Sequence, residues 1–493
     1  MPRRRPPPRD YMDPDAGQRG PDYLSAPSVA TAARAVNGGS PPPAIDVPPD
    51  EPAVPPQPDT AIDGSGEPPS SNGVATATPP DAPPPTRPKA SLRDAFAAFR
   101  LPDFRYLTLS TIAVGFGQWA QQIGIFWLIL ELTGSAVQLG ALAATRGLIG
   151  TAVAPVGGLL AEKYPRRAVM VWSTFAGAAQ AAVLAALVIT ETVEVWHVYA
   201  FALIAGTTMS INQPTRQALV YDVTSDELLP NAVAMNSAAQ NVSRVAGPPL
   251  AGALIGFFGV ASAFVFIVVA RGIAVVLTLL ISHRTRQVRL RGSAGSALRQ
   301  MGEGFRYSWN DKPIFGLIVV SAIPSLLVYP YIPFMATFSN DVFGRGAEGF
   351  GLLTSMLGWG SIVGLMLLAI FSNVPRKGLI MMSFFTIYAL LLVAFSWSPI
   401  FYLSLAILAL AGVFHAIAMA LNNTLLQLAV RNEMRGRVMS VFQMSHGLQP
   451  LGSLPMGLLV ASQGPQIGVG AFMIAASVIF VFLTVFWASL RRL

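Results

Sequence analysis

Apolar stretches separated by short polar loops recur along the chain from about residue 105 to residue 490. Most are about 20 residues long, the length that an α-helix needs to cross the roughly 30 Å core of a bilayer. The pattern predicts an all-α integral membrane protein with twelve transmembrane helices. We place the spans near residues 105–130, 136–160, 167–189, 196–218, 232–256, 260–282, 314–338, 348–372, 378–397, 400–427, 437–461 and 467–490.

Composition agrees with this interpretation. Hydrophobic residues make up 53% of the chain and charged residues only 12%, whereas an ordinary soluble domain has about a quarter of its residues charged. The chain has no cysteine, which excludes disulfides and Cys-ligated metals or clusters. We expect no cofactor.

Residues 1–92 differ from the rest because they are rich in proline and poor in large apolar side chains. Such a segment cannot bury enough apolar surface to offset the entropy lost on ordering. We therefore predict a disordered, proline-rich cytoplasmic tail.

Basic residues are concentrated in alternate loops, on one side of the predicted bundle. Loops rich in Lys and Arg stay in the cytoplasm, so both termini are expected to be cytoplasmic in a multi-pass protein of the cell membrane. This distribution does not indicate nucleic-acid binding. The basic side carries Arg93, Arg100, Arg105, Lys163, Arg166, Arg167, Arg216, the loop from Arg284 to Lys312, Arg376, Lys377, Arg431, Arg435, Arg437, Arg491 and Arg492.

An internal repeat indicates two similar halves. The order Gly150, Pro165, Arg166 recurs about 210 residues later, and Asn212 recurs as Asn422 at the same offset. We predict an N-terminal six-helix half at 93–283, a basic cytoplasmic connecting loop at 284–313 and a C-terminal six-helix half at 314–493. In secondary transporters built this way, the substrate site lies near mid-membrane between the halves.

The loop after the second span reads GLLAEKYPRR, from Gly158 to Arg167. It resembles the signature of the major facilitator superfamily, with Glu162 where Asp is usual and Pro165 where Gly is usual. The resemblance implies a cytoplasmic gate, while a plain basic hairpin is the simpler alternative. The gate residues would be Gly158, Glu162, Lys163, Arg166 and Arg167.

The fifth span contains NVSRVAGPPLAG, in which Arg244, Gly247, Pro248 and Gly252 stand out. Gly-Pro followed by small residues resembles the fifth-helix motif of exporters in the superfamily. Proline in a helix removes a backbone hydrogen bond, so a static kink would leave the same pattern. Over residues 93–490 the chain resembles the branch of enterobactin and drug exporters, the transmembrane secretion effectors.

Polar side chains at membrane depth are costly and mark candidate substrate contacts. In the superfamily the first, fourth, seventh and tenth helices line the cavity, and this resemblance selects several of the candidates. Deep arginines suit either an anionic substrate or a structural hydrogen-bond network, and the orientation of Arg271 is left open. The candidates are Gln118, Gln122, Arg146, Asn212, Gln240, Arg244, Tyr329, Tyr331, His415 and Asn422.

These features favour a secondary active exporter of small organic molecules, drug-like or siderophore-like, that works by alternating access. No buried carboxylate is evident, so proton antiport rests mainly on the resemblance, with His415 and His446 as titratable candidates. The expected partners are a small-molecule substrate, protons and membrane lipids, with the protein a monomer. A lipid or lysolipid flippase and a signalling scaffold that uses the tail are the alternatives. The scattered histidines argue against an enzyme.

Overall fold

The computed structural model describes residues 97–282, 294–370 and 376–491. Within these residues every regular element is helical, so the prediction of an all-α protein is confirmed. The predicted tail at 1–92 and the first part of the predicted connecting loop, residues 284–293, lie outside the described residues. The rest of that loop is described and is largely helical.

Six long helices follow one another in the first part of the described chain. The first ends at Gly134, whose φ of 59° lies in the left-handed region that glycine adopts without strain. Ser135 then caps the second helix by accepting a hydrogen bond from the backbone NH of Gln138 at 3.4 Å. The six are α1 (Pro102–Thr133), α2 (Ala136–Lys163), α3 (Arg166–Ile189), α4 (Val195–Asp222), α5 (Leu229–Phe258) and α6 (Val260–Leu279).

An amphipathic helix, α7 (Ala294–Asn310), precedes the predicted seventh span. That span is broken into α8 (Lys312–Ile323), a π-helical turn, α9 (Tyr331–Thr337) and a second π-helical turn that ends at Val342. Pro324 and Pro330 lie at the interruptions, where the missing NH group prevents regular helical hydrogen bonding.

The remaining helices complete a second bundle. The longest of them contains Gly464, whose φ of 82° marks a kink that divides it into two parts. The helices are α10 (Gly346–Ile370), α11 (Lys377–Trp397), α12 (Phe401–Ala429), α13 (Arg435–His446), α14 (Gln449–Phe486) and α15 (Ala488–Arg491).

Nine helical segments of the described residues are long and apolar enough to cross a membrane. Helices α4 and α5 are also 28 and 30 residues long but are not among the nine, since both carry several amide and guanidinium side chains. The segment from Arg435 to Phe486 counts once although Gly464 divides it. The number of twelve spans therefore stays a prediction.

The first group of helices, α1–α6, and the second group, which the later helices form, touch through glycines at one end of the bundle. A Cβ atom on Gly252 of α5 would lie 2.6 Å from the carbonyl oxygen of Ala347 in α10. A Cβ atom on Gly457 of α14 would lie 2.9 Å from the carbonyl oxygen of Ala136 in α2. Backbone therefore packs directly on backbone at both contacts, and they lie at the end opposite the basic residue Arg166.

Apolar side chains cover the outer surface of the bundle. Trp172, Val183 and Ile370 are 70%, 62% and 72% exposed. Exposure on this scale is unfavourable in water but suits contact with lipid hydrocarbon.

Candidate functional site

A polar cavity lies among α1, α2, α3, α4 and α6. All five helices belong to the first group, α1–α6. The cavity brings together three of the predicted residues: Gln118, Arg146 and Asn212. The other lining residues are Val114, Gln121, Ser173, Thr174, Ala205, Thr208, Met209, Gln213 and Arg271.

Arg271 enters this cavity from α6 and is only 7% exposed. Two glycines make room for its side chain. A Cβ atom on Gly117 would lie 3.7 Å from Arg271 Cγ, and one on Gly177 would overlap the guanidinium group. The guanidinium donates a hydrogen bond to Gln121 Oε1, while its Nε has no partner among the described residues.

Asn212 of α4 connects three side chains on the cavity wall. Its Nδ2 donates to Ser173 Oγ and Thr174 Oγ1, both at 2.9 Å. Its Oδ1 accepts a hydrogen bond from Arg216 Nη2 at 2.7 Å. These bonds fix the orientation of the Asn212 amide, and Arg216 lies buried behind it.

Arg216 corrects the sequence analysis, which placed it in a basic loop. The side chain lies inside α4 and is 4% exposed. The helix continues to Asp222 rather than ending near residue 218, and Asn212 one turn earlier accepts a hydrogen bond from the guanidinium. The charge of Arg216 therefore belongs to the interior of the bundle.

Positive charge accumulates around the cavity, and none of the described carboxylates forms an ion pair with it. Arg271 lies within electrostatic reach of both Arg146 and Arg216. Arg146 and Gln118 approach Met209 Sδ, at 3.9 and 3.5 Å, and a thioether carries no charge. Among the described residues, the ion pairs lie elsewhere: Arg166–Asp222, Arg299–Glu303 and Arg437–Glu303.

A second polar cluster lies in the other group of helices. Tyr329 Oη and His415 Nε2 are 2.7 Å apart, and the ring of Tyr388 lies 4.8 Å from that of His415, centroid to centroid. Tyr331 is 1% exposed. The charge of Arg244, from α5 of the first group, acts on all three tyrosines. The predicted residues Tyr329 and His415 thus meet, apart from the first cavity, and Arg244 lies within electrostatic reach of the tyrosines.

The structure places Gln122, Gln240 and Asn422 at neither cluster. Gln122 and Gln240 are half-buried and do not line the cavity. Asn422 is fully buried, and neither of its amide atoms has a partner among the described residues. In this conformation both Asn422 and Tyr331 are packed inside the helix bundle, whereas cavity-lining side chains were expected.

The predicted gate residues connect helices of the first group. Arg166 Nη1 lies 2.7 Å from Asp222 Oδ1 and so joins α3 to α4. Arg167 donates to the carbonyl oxygens of Thr278, at 3.2 Å, and Leu279 at the end of α6, where a cation is favoured by the helix dipole. Lys163 is exposed. The side chain of Glu162 and the surroundings of Gly158 lie outside the described residues.

The fifth-helix motif lies in α5, which continues through Pro248 and Pro249. A Cβ atom on Gly247 would lie 2.7 Å from Trp119 Cβ in α1. Gly252 forms the backbone contact with α10 described above. Both glycines thus permit close helix packing.

Several residues of the site were not among the candidates selected from the sequence. Arg271 gave a signal, because it is the only charged residue between Val260 and Leu279, but its direction depends on how α6 packs. Hydroxyl, thioether and additional aromatic side chains gave no comparable signal, because they occur throughout the bundle. They are Ser173, Thr174, Thr208, Met209 and Tyr388. The amide Gln213 also lines the cavity and was not selected.

The chain matches a protein family model and is similar to named relatives. Residues 93–492 match a family model described as a transmembrane secretion effector of the major facilitator superfamily. The staphyloferrin A transporter of Staphylococcus aureus (strain NCTC 8325 / PS 47) is 25% identical over 72% of this chain and 88% of its own length. Macrolide efflux protein A of Streptococcus pyogenes is 22% identical over 74% of this chain and 90% of its own length.

Solved structures share the fold. A bacterial homologue of the human lysosomal transporter Spinster, in an inward-facing and unoccupied conformation, superposes with a TM-score of 0.62 at 15% identity. The match covers 82% of this chain and 98% of that one. The nucleoside transporter NupG gives a TM-score of 0.58 at 14% identity, over 79% of this chain and 98% of its own. The predicted major facilitator fold is thereby confirmed.

Proposed function

The chain belongs to the transmembrane secretion effector family of the major facilitator superfamily, and we propose that it exports small organic molecules from the cytoplasm by alternating access. The observation that carries this proposal is the polar cavity built from Gln118, Arg146, Asn212 and Arg271 within a membrane-spanning bundle. Buried polar groups in a membrane are costly unless they serve a path or a site. The relatives named for efflux and siderophore transport support the direction.

The helix contacts support alternating access. Backbone contacts at Gly252 and Gly457 join the two groups near one end of these helices, and further contacts follow toward the middle, such as Val245 with Gly358 and Pro450 with Gly147. Smooth contacts of this kind can separate and re-form as rigid bodies rock. The ion pair of Arg166 with Asp222 joins neighbouring helices within the first group, which supports the proposal that 93–283 is one moving half and 314–493 the other.

The orientation is proposed from the basic loops. Arg166, Arg167 and Arg376 begin or precede helices at one end of the bundle, and Lys- and Arg-rich loops remain cytoplasmic. With this orientation the glycine contacts lie at the outer end, both termini are cytoplasmic and the cell membrane is the location.

Protons are the proposed coupling ion, with His415 as the group that carries them. His415 is the histidine within the membrane-spanning part that meets a polar cluster, through Tyr329 at 2.7 Å and the ring of Tyr388. The charge of Arg244 acts on the same cluster. A histidine can change protonation between about pH 5 and 8, so this side chain is the proposed proton carrier.

The test is transport in inside-out membrane vesicles whose interior is acidified by respiration and followed with a quenched dye. Addition of an exported compound should discharge the pH gradient. Siderophores, dyes and antibiotics form the panel, and the His415→Asn variant should lose the response while His197→Asn keeps it. His197 is a suitable control because its ring accepts the backbone NH of Glu194 at a helix start, at 2.9 Å.

Each outcome has a distinct meaning. Accumulation of labelled compound with no proton movement would retain export and overturn proton coupling. Absence of any transport across the panel would overturn export of these compounds and bring the lipid flippase forward. Full transport by the His415→Asn variant would exclude this histidine as the proton carrier.

A further inference from the structure

We propose that the cavity of the first helix group binds an organic anion with two or more carboxylate groups, held by Arg146 and Arg271. This inference rests on the proposed function, in which the cavity is the cargo site, and it names the chemical class of the cargo. The inference is based on Arg146, Arg216 and Arg271 and on the polar side chains between them.

The charge balance is the first argument. Arg271 lies within electrostatic reach of Arg146 and of Arg216, and no carboxylate of the described residues forms an ion pair with any of the three. Buried like charges are tolerated only when a partner offsets their desolvation. An anion that enters the cavity would provide that partner.

The unpaired atom of Arg271 is the second argument. Arg271 is only 7% exposed and lines the cavity. One of its NH groups donates to Gln121, while its Nε has no partner among the described residues. A buried charged donor without a partner is strongly unfavourable. A guanidinium offers parallel NH donors in a plane, and a carboxylate accepts two of them at once.

The rigidity of the site is the third argument. Gly117 and Gly177 enclose the Arg271 side chain, and the hydrogen bonds of Asn212 hold Arg216 in place behind the wall. The donors of Arg271 are therefore held in place before the ligand arrives, which lowers the entropic cost of binding.

The presence of two cavity-lining guanidinium groups indicates more than one carboxylate. Arg146 extends from α2 and Arg271 from α6, and both line the cavity. Within the described residues, the partner of Arg146 within hydrogen-bond reach is Met209 Sδ, at 3.9 Å. Each guanidinium can hold its own carboxylate, and Gln118 and Thr208 can accept hydroxyl or amide groups of the same ligand.

The test uses the purified full-length protein in detergent and isothermal titration calorimetry. Citrate is the probe, triethyl citrate is the uncharged control with the same skeleton, and inorganic phosphate separates a carboxylate site from a general anion site. Citrate should bind and triethyl citrate should not. Arg146→Gln and Arg271→Gln should each weaken citrate binding about tenfold or more, the loss expected for one charge-assisted contact. Arg299→Gln, at an exposed position on α7, should leave it unchanged.

A second measurement guards against misfolded variants. Arg271→Lys keeps the charge but loses the paired donors, so it should fold and still bind citrate more weakly than the wild type. Citrate should also raise the thermal midpoint of the wild type, with triethyl citrate showing no effect. Equal binding of citrate and triethyl citrate would overturn the proposal. So would wild-type citrate affinity in the Arg146→Gln and Arg271→Gln variants, or phosphate binding that depends on both arginines without citrate binding.

Failure of this inference is distinguishable from failure of the proposed function. Vesicle transport of neutral or cationic compounds, with no citrate binding, would retain export and overturn the carboxylate site. Citrate binding that needs both arginines, with no transport of any compound, would retain the site and overturn export.

Discussion

The glycine contact between α5 and α10 can be tested by adding a single methyl group. In the Gly252→Ala variant the new Cβ would lie 2.6 Å from the carbonyl oxygen of Ala347 and 3.1 Å from Gly351 Cα. Both neighbours are backbone atoms, so no side chain can rotate away. We expect α5 and α10 to separate and the bundle to shift toward the state that is open at this end.

The size of the shift follows from the clash. Forcing an extra methyl group into a close contact costs about 1–3 kcal/mol, which corresponds to about a 5- to 150-fold increase in the open population. Replacing Gly by Ala also stabilises a helix by roughly 1 kcal/mol. The matched control is Gly272→Ala, because no atom lies within 4 Å of a Cβ at that position and the helix effect is the same.

The assay uses the absence of cysteine in the natural chain. A single Ala136→Cys substitution reports on the other contact between the groups, since Ala136 is 8% exposed and meets Gly457. The rate of labelling by a membrane-impermeant maleimide measures how often this contact opens. If the groups rock as rigid bodies, Gly252→Ala should increase the labelling rate of the distant cysteine by about 5- to 150-fold over the Gly272→Ala control.

Equal labelling rates in the two variants would refute this reasoning. The helices would then have adjusted locally at α5 and α10 without opening α2 and α14. Gel filtration and circular dichroism of both variants would exclude unfolding as the cause of faster labelling.

Three further predictions concern stability in detergent. Arg166→Gln leaves the Asp222 carboxylate, 1% exposed, without its ion pair and should lower the free energy of unfolding by about 3–5 kcal/mol; wild-type denaturant midpoints would contradict this. Arg437→Gln removes a pair whose side chains are both 38% exposed and should cost about 1 kcal/mol or less by the same measurement. Tyr329→Phe removes the 2.7 Å contact with His415 and should cost about 1 kcal/mol, so an unchanged thermal midpoint would show that this bond adds nothing.

Most of the fold was predictable because membrane helices are encoded locally. A run of about 20 apolar residues is sufficient to predict a span, and Gly134 and Ser135 mark a boundary by their own backbone and side-chain chemistry. The broken seventh span could be anticipated from Pro324 and Pro330 for the same reason. The exact ends were less accessible, as α4 shows by continuing to Asp222.

The candidate site was predicted in part. Gln118, Arg146 and Asn212 were found because amide and guanidinium groups in apolar helices are conspicuous. Arg216 was misplaced because its position near a predicted helix end did not reveal that Asn212 holds it inside. The role of Arg271 could not be predicted, because the direction of its side chain depends on how α6 packs against its neighbours.

The sequence by itself determined that the chain is a helical membrane protein, where most helices lie and which loops are basic, because hydropathy and charge act along the chain. Only the tertiary structure decided which polar atoms meet. Gln121 and Arg271 are 150 residues apart and touch because α1 and α6 pack side by side. Gly177 leaves space for the same arginine from a third helix. Such contacts depend on the rotation of each helix about its axis, which packing against several neighbours fixes together and no single segment encodes.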